Sequence, residues 1–172
     1  MKLFLIGYMG SGKSSLGKGL AAQLGIPFFD LDELIEMKAG YSIAEIFEKE
    51  GEGHFRKLES TTLKSLAEAS KCIIATGGGT PCFFDNIDWM NENGMTLYLK
   101  CSPTRIVQRL KNGLTHRPIL KDKSEKELLL FIEQHLIDRS PNYERAQIVY
   151  LADADLPIAL HDLSEFLERF YG

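Results

Sequence analysis

Eight consecutive residues carry the densest chemistry in this chain: Gly7-Tyr8-Met9-Gly10-Ser11-Gly12-Lys13-Ser14, a run with the spacing G-x-x-x-x-G-K-[ST]. Glycines at those places let the backbone curl with its N–H groups turned inward on phosphate oxygens. The lysine reaches the outer phosphates, and the serine hydroxyl is a ligand for Mg²⁺. The run follows the apolar stretch Leu3-Phe4-Leu5-Ile6, and Leu16, Leu20 and Leu24 recur after it at helical spacing. The alternative is a glycine-rich turn that merely joins strand to helix, and the strand-loop-helix context favours the phosphate loop. The run therefore reads as a nucleoside triphosphate site, with Gly10, Ser11, Gly12, Lys13, Ser14 and Ser15 as the phosphate contacts.

Phosphoryl transfer also needs Mg²⁺ held and an attacking hydroxyl oriented. Phe29-Asp30-Leu31-Asp32 supplies one acid for each role, with Asp30 suited to the metal, directly or through a water, and Asp32 to the hydroxyl. Capping the following helix is the competing role for either aspartate. Gly77-Gly78-Gly79 is costly to order and calls for a bare backbone, either against a ligand or in a tight turn. Arg56 and Arg139 offer planar guanidinium groups to a carboxylate or phosphate, the alternative being a solvated surface position. Arg105, Arg109 and Arg117 bracket Lys111-Asn112-Gly113-Leu114-Thr115-His116, which reads as a lid or as an ordinary polar loop.

The elements that must position these residues follow from the apolar pattern. Short apolar runs predict strands at Lys2 to Ile6, Pro27 to Phe29, Cys72 to Ala75, Thr96 to Lys100 and Ile148 to Leu151. Helical patterns lie near Lys13 to Leu24, Leu31 to Lys38, Ile43 to Phe47, Arg56 to Ala69, Pro103 to Arg109, Glu125 to Arg139 and Ile158 to Phe170. This alternation is that of a parallel sheet covered by helices on both faces, an α/β architecture in one domain spanning 1–172. In such sheets ligands bind beyond the carboxyl ends of the strands. The phosphate loop, the aspartate pair and the glycine triplet all follow strands and so converge on one edge.

Composition sets limits. A net charge of −4 argues against a general affinity for nucleic acid without excluding a local basic pocket. Cys72, Cys82 and Cys101 are widely spaced and make neither a disulfide framework nor a zinc site, which leads to the expectation of a cytoplasmic protein. No apolar stretch approaches the roughly 18 residues of a membrane helix, and no secretory signal precedes the first strand. A monomer without nucleic-acid or membrane partners is the expectation.

Taken in order, these motifs resemble the shikimate kinases over essentially the whole length. The similarity is carried by the phosphate loop, Phe29-Asp30-Leu31-Asp32, Ser42-Ile43-x-Glu45-Ile46-Phe47, Gly51-Glu52-x-x-Phe55-Arg56-x-x-Glu59, Gly77-Gly78-Gly79, Arg117-Pro118-Ile119-Leu120, and Arg139 with Tyr143. The resemblance implies a three-layer α/β/α P-loop fold with a five-stranded parallel sheet, substrate-binding helices and a lid near 111–123. It implies transfer of the γ-phosphoryl group of ATP to the 3-hydroxyl of shikimate, with Mg²⁺, in aromatic amino-acid biosynthesis. By similarity Lys13 and Ser14 hold ATP and the metal, and Asp32 orients the reacting hydroxyl with Asp30 near the metal. Arg56 and Arg139 grip the shikimate carboxylate, while Gly78 and Gly79 offer backbone contacts. Arg117 is the lid cation and Arg109 lies against adenine. His54 stays outside this site. Gluconate and nucleoside-monophosphate kinases share the architecture and remain alternatives, as does a non-catalytic ATP-binding module.

Overall fold

The computed structural model describes residues 2–112 and 124–171. Its sheet has five parallel strands in the order β2-β3-β1-β4-β5: β1 (Lys2–Ile6), β2 (Phe28–Asp30), β3 (Cys72–Ala75), β4 (Met95–Lys100) and β5 (Ile148–Leu151). Every residue of β1 is buried, as expected of a central parallel strand covered on both faces and built from a continuous apolar run. Leu3, Phe4, Leu5 and Ile6 have no exposed surface at all. The chain crosses from β3 over β1 to β4, and this reversal of direction places the residues after β1 where α/β sheets bind ligands.

Seven α-helices connect the strands among the described residues: α1 (Lys13–Leu24), α2 (Leu31–Ala39), α3 (Ile43–Lys64), α4 (Asn86–Asn93), α5 (Pro103–Asn112), α6 (Glu125–Tyr143) and α7 (Leu156–Tyr171). A 3₁₀ turn, Thr80–Cys82, joins the glycine triplet to α4. Ser42 and Ser124 open α3 and α6 with reciprocal capping boxes to Glu45 and Glu127, satisfying N–H groups at each helix start.

Three elements depart from the sequence reading. The separate helices expected at Ile43 to Phe47 and Arg56 to Ala69 form the single run α3, bent at Gly51 (φ 79°, ψ 170°). The run stops at Lys64, beyond which Leu66, Ala67 and Ala69 close i→i+3 turns and Lys2 Nζ donates to the carbonyls of Leu66 and Ala67 at 2.9 and 2.7 Å. Helix α6 continues through Pro141 to Tyr143 instead of ending at Arg139, since proline removes one N–H and the last turn closes by Glu144 N–H to the Ser140 carbonyl, 2.8 Å. Helix α4 had no predicted counterpart.

Candidate active site

The site grows from the loop after β1. Gly10 and Gly12 adopt left-handed backbone conformations, φ 78° and 97°, which close the loop and aim it at the start of α1. Helix α1 has no side-chain cap at Gly12, so the N–H groups of Lys13 and Ser14 face the loop interior as anion donors. Lys13 is buried and its Nζ donates to the carbonyls of Gly7 and Tyr8 at 2.8 and 2.9 Å, which folds the ammonium over the loop. Ser14 Oγ donates to Asp30 Oδ2 at 2.6 Å, while Asp30 Oδ1 accepts the Asp32 N–H at 3.1 Å. Asp30 thus caps α2 and bridges to the phosphate loop with its second oxygen. Two adjacent oxygens suit Mg²⁺, which takes one or two protein ligands and completes its shell with water and phosphate. Among the described residues no group of three or more His, Cys, Asp or Glu forms a cage of its own.

A cleft of about 770 Å³ opens from this loop toward α2 and α3, lined by Lys13, Ser14, Asp30, Asp32, Phe47, Phe55, Arg56, Gly77, Gly78, Gly79 and Arg139. Arg56 is held on every side. Its Nη1 donates to Glu59 Oε2 at 2.9 Å and its Nη2 to Glu52 Oε1 at 3.0 Å. Its plane packs on Phe83 and Phe55, 4.2 and 5.0 Å from the ring centroids. Glu59 is fully buried and also accepts from Thr80 Oγ1 at 2.6 Å. The glycine triplet lies flat against this pair. A Cβ on Gly79 would stand 2.5 Å from Arg56 Nη1, one on Gly77 2.7 Å from Glu59 Oε1, and one on Gly78 3.2 Å from the Met9 nitrogen. Close approach therefore demands glycine here.

Arg139 enters the same cleft from α6, its guanidinium carbon 5.6 Å from the centre of the Tyr8 ring. Tyr8 in turn meets His135, one helical turn before Arg139, with 3.1 Å between the hydroxyl and Nδ1. Burial, and next the Arg139 charge, hold the His135 pKa below its ordinary value. Because α6 runs on to Tyr143, that residue shares the face of Arg139 and donates its hydroxyl to the Gly78 carbonyl at 2.5 Å. Burial pushes the Tyr143 phenol well up, so it stays a donor. Cys82, beside both arginines, has its thiol raised by burial in spite of their charge.

A second cleft of about 840 Å³ lies on the other side of the loop, lined by Gly10, Ser11, Gly12, Ser15, Leu16, Arg105, Arg109, Ala154, Asp155 and Ala159 among others. Arg109 spans it, donating from Nη1 to the Ser11 carbonyl and from Nη2 to the Ala154 carbonyl, both at 2.9 Å. Arg105 pairs with Asp155 at its rim. Burial pushes the Cys101 thiol behind Arg109 up to about 12, so this sulfur remains neutral. Gly10, Gly12 and Ser15 line both clefts. The loop thus stands as a partition between two clefts of similar volume.

Of the sequence candidates, the loop residues, Asp30, Asp32, Arg56, Gly78, Gly79, Arg109 and Arg139 come together at this edge. Arg117 and most of the proposed lid lie outside the described residues; Lys111 and Asn112 belong to α5. His54 pairs with Glu50 at 2.8 Å, away from the cleft lining. Sequence reasoning named Glu59 and Tyr8 within motifs without giving either a role, and it overlooked His135. For Glu59 a signal existed: three residues beyond Arg56, it must share a helix face with that arginine.

Comparison with known proteins agrees with this geometry. A sequence model of the shikimate kinase family matches residues 9–169. A shikimate kinase of Bacteroides fragilis is 46% identical over 153 residues, covering 89% of this chain and 86% of that one. The crystal structure of shikimate kinase from Bacteroides thetaiotaomicron superposes with a TM-score of 0.92 at 42% identity, covering 98% of each chain. That from Acinetobacter baumannii in complex with shikimate gives 0.84 at 32%, over 99% of this chain and 95% of that one. With the match running through both clefts and nearly end to end, the chain belongs to the shikimate kinase family.

Proposed function

We propose that this chain transfers the γ-phosphoryl group of ATP to the 3-hydroxyl of shikimate through the residues of the two clefts, with the phosphate loop between them as the transfer point. The observation that carries the assignment is that one loop lines both clefts and that the cleft toward α2 and α3 combines Arg56 and Arg139 with Asp32 and the bare glycine triplet. ATP extends its base into the cleft spanned by Arg109 and its phosphates onto Gly10, Ser11, Gly12, Lys13, Ser14 and Ser15. Arg56 and Arg139 take the carboxylate of shikimate, Asp32 accepts a hydrogen bond from the reacting hydroxyl, and Gly78 and Gly79 contribute backbone contacts. Ser14 and Asp30 would hold Mg²⁺ here, and the ion would supply charge that offsets the phosphates.

Clamping the acid at its carboxylate aims the hydroxyl oxygen at the γ-phosphorus, and this positioning supplies much of the rate. The oxygen–phosphorus bond forms as the bond from the γ-phosphorus to the β-γ bridging oxygen breaks, leaving ADP. Lys13, and Arg117 carried on a lid near 111–123, meet the charge that develops. Asp32 orients the hydroxyl, and a loose transition state asks little of it as a base. The chain works as one 1–172 domain, a monomer in the cytoplasm with no nucleic-acid or membrane partner. No helix among the described residues is long and apolar enough to cross a membrane.

A coupled assay of ADP release, with ATP and Mg²⁺, tests this against shikimate, gluconate, nucleoside monophosphates and no acceptor. Turnover dependent on shikimate alone is the expected result. Turnover with another acceptor overturns the roles of Asp32, Arg56 and Arg139, and nucleotide binding without turnover overturns the enzymatic reading.

A further inference from the structure

Behind the wall of the acceptor cleft, polar side chains close a ring that meets the cleft lining at Glu59 alone. Thr80 Oγ1 donates to Glu59 Oε1 at 2.6 Å, Asn86 Nδ2 donates to the Thr80 carbonyl at 3.0 Å, and Ser60 Oγ donates to Asn86 Oδ1 at 2.7 Å. Ser60 follows Glu59 on α3, which completes the circuit. Glu59, Thr80 and Asn86 have no exposed surface and Ser60 only 9%. Neither Asn86 nor Ser60 lines the cleft.

An amide buried at the first turn of a short helix is expensive unless its hydrogen bonds are made, and Leu would fill a similar volume without that cost. What the amide adds is directional. It pins the Thr80 carbonyl, and with it the turn that begins at the glycine triplet, to α4 and α3 together. That turn is a wedge, touching Arg56 through Gly79, Glu59 through Gly77 and the phosphate loop through Gly78. The other oxygen of Glu59 then fixes Arg56 Nη1. We propose that Asn86 is a positioning residue for the acceptor acid: acting through Thr80 and Glu59, it sets where the Arg56 guanidinium stands relative to the phosphate loop. The inference rests on the reading above that Arg56 binds the acceptor carboxylate.

The test compares Asn86→Leu with Met90→Ala, a cavity in the same helix one turn along at a fully buried position outside the ring. Both variants lower the melting temperature. Asn86→Leu raises the KM for shikimate about ten-fold, the effect of one misplaced charge-assisted contact, and leaves the KM for ATP within about two-fold. Met90→Ala leaves both KM values near those of the parent. Arg56→Ala separates the two claims: no effect of this variant on shikimate KM removes the acceptor-site reading itself. If Arg56→Ala raises that KM while Asn86→Leu does not, or raises both KM values alike, only the positioning role fails. In the double variant Asn86→Leu adds nothing to the shikimate KM of Arg56→Ala. Should Asn86→Leu fail to fold, Ser60→Ala, which opens the ring at one bond, gives the same selective rise in smaller measure, and an unchanged shikimate KM there overturns the proposal.

Discussion

Asp30 divides its two oxygens between two partners, one on the Asp32 N–H and one on the Ser14 hydroxyl. The roles separate under Asp30→Asn, because asparagine caps a helix as well as aspartate does but lacks the charge that favours a hard cation. Unchanged melting temperature with a Mg²⁺ requirement raised on the order of ten-fold is the expected outcome of an activity titration. Asp32→Asn has the opposite signature: the Mg²⁺ requirement stays and kcat with shikimate falls. His135 offers a pH test. Its folded pKa lies below the ordinary 6.5, chiefly through burial and then through Arg139, so the native state binds this proton less readily than the unfolded chain. The penalty is absent well above 6.5 and grows as pH falls through it. His135→Asn keeps a polar partner for Tyr8 but cannot ionise. Thermal unfolding should therefore show the parent losing more stability than this variant between about pH 7 and pH 5, with the two curves parallel above that range.

At the level of elements, the bend in α3 couples two halves with different duties. Its first half brings Ile43, Ala44 and Phe47 to the cleft, and its second brings Phe55, Arg56 and Glu59. Gly51 joins them at φ 79° and ψ 170°, a region that essentially only glycine occupies, and a Cβ there would meet nothing within 4 Å. Gly51→Ala is thus a pure backbone test. Chemical denaturation should show a loss of about 1–3 kcal/mol, and shikimate KM should rise while ATP KM holds, because only the acceptor wall is re-angled. This bend was half legible in the sequence, where two helical patterns flanked Gly51-Glu52-Gly53. Strands β1, β3 and β5 and helix α1 were readable to the residue, since continuous apolar runs and a glycine-lysine-serine start leave few other solutions. Helix α4 was not, because eight residues rich in Asn and Asp carry too little periodicity and propensity; Ile87 and Met90 are its buried anchors. Residues with a chemical signature of their own, such as Lys13, Asp32 and Arg56, could be picked out from sequence. The bonds from Thr80 to Glu59 and from Ser60 to Asn86 join residues 21 and 26 positions apart, and only the fold brings those partners together.

Across the whole molecule, a chain of net charge −4 gathers Lys13, Arg56, Arg109 and Arg139 at one edge of its sheet, so positive charge is concentrated on the walls of two clefts. Each ligand that binds only the native state must stabilise it by an amount set by its concentration relative to Kd, about 2.7 kcal/mol at a hundred-fold excess. For a domain of this size that is a rise of roughly 5–10 °C in melting temperature. The partition of sites makes the response separable. ATP with Mg²⁺ should raise the melting temperature of the parent and of Arg56→Ala alike, because Arg56 lines only the acceptor cleft. Shikimate should raise it for the parent and lose most of its effect on Arg56→Ala. Lys13→Ala should show the reverse, since its backbone loop still closes but the phosphates lose their cation. A thermal-shift matrix of two ligands against three proteins therefore reads the geography of the molecule directly. Loss of the ATP response in Arg56→Ala would mean that the clefts are not independent and that the wedge at residues 77–79 transmits strain into the phosphate loop.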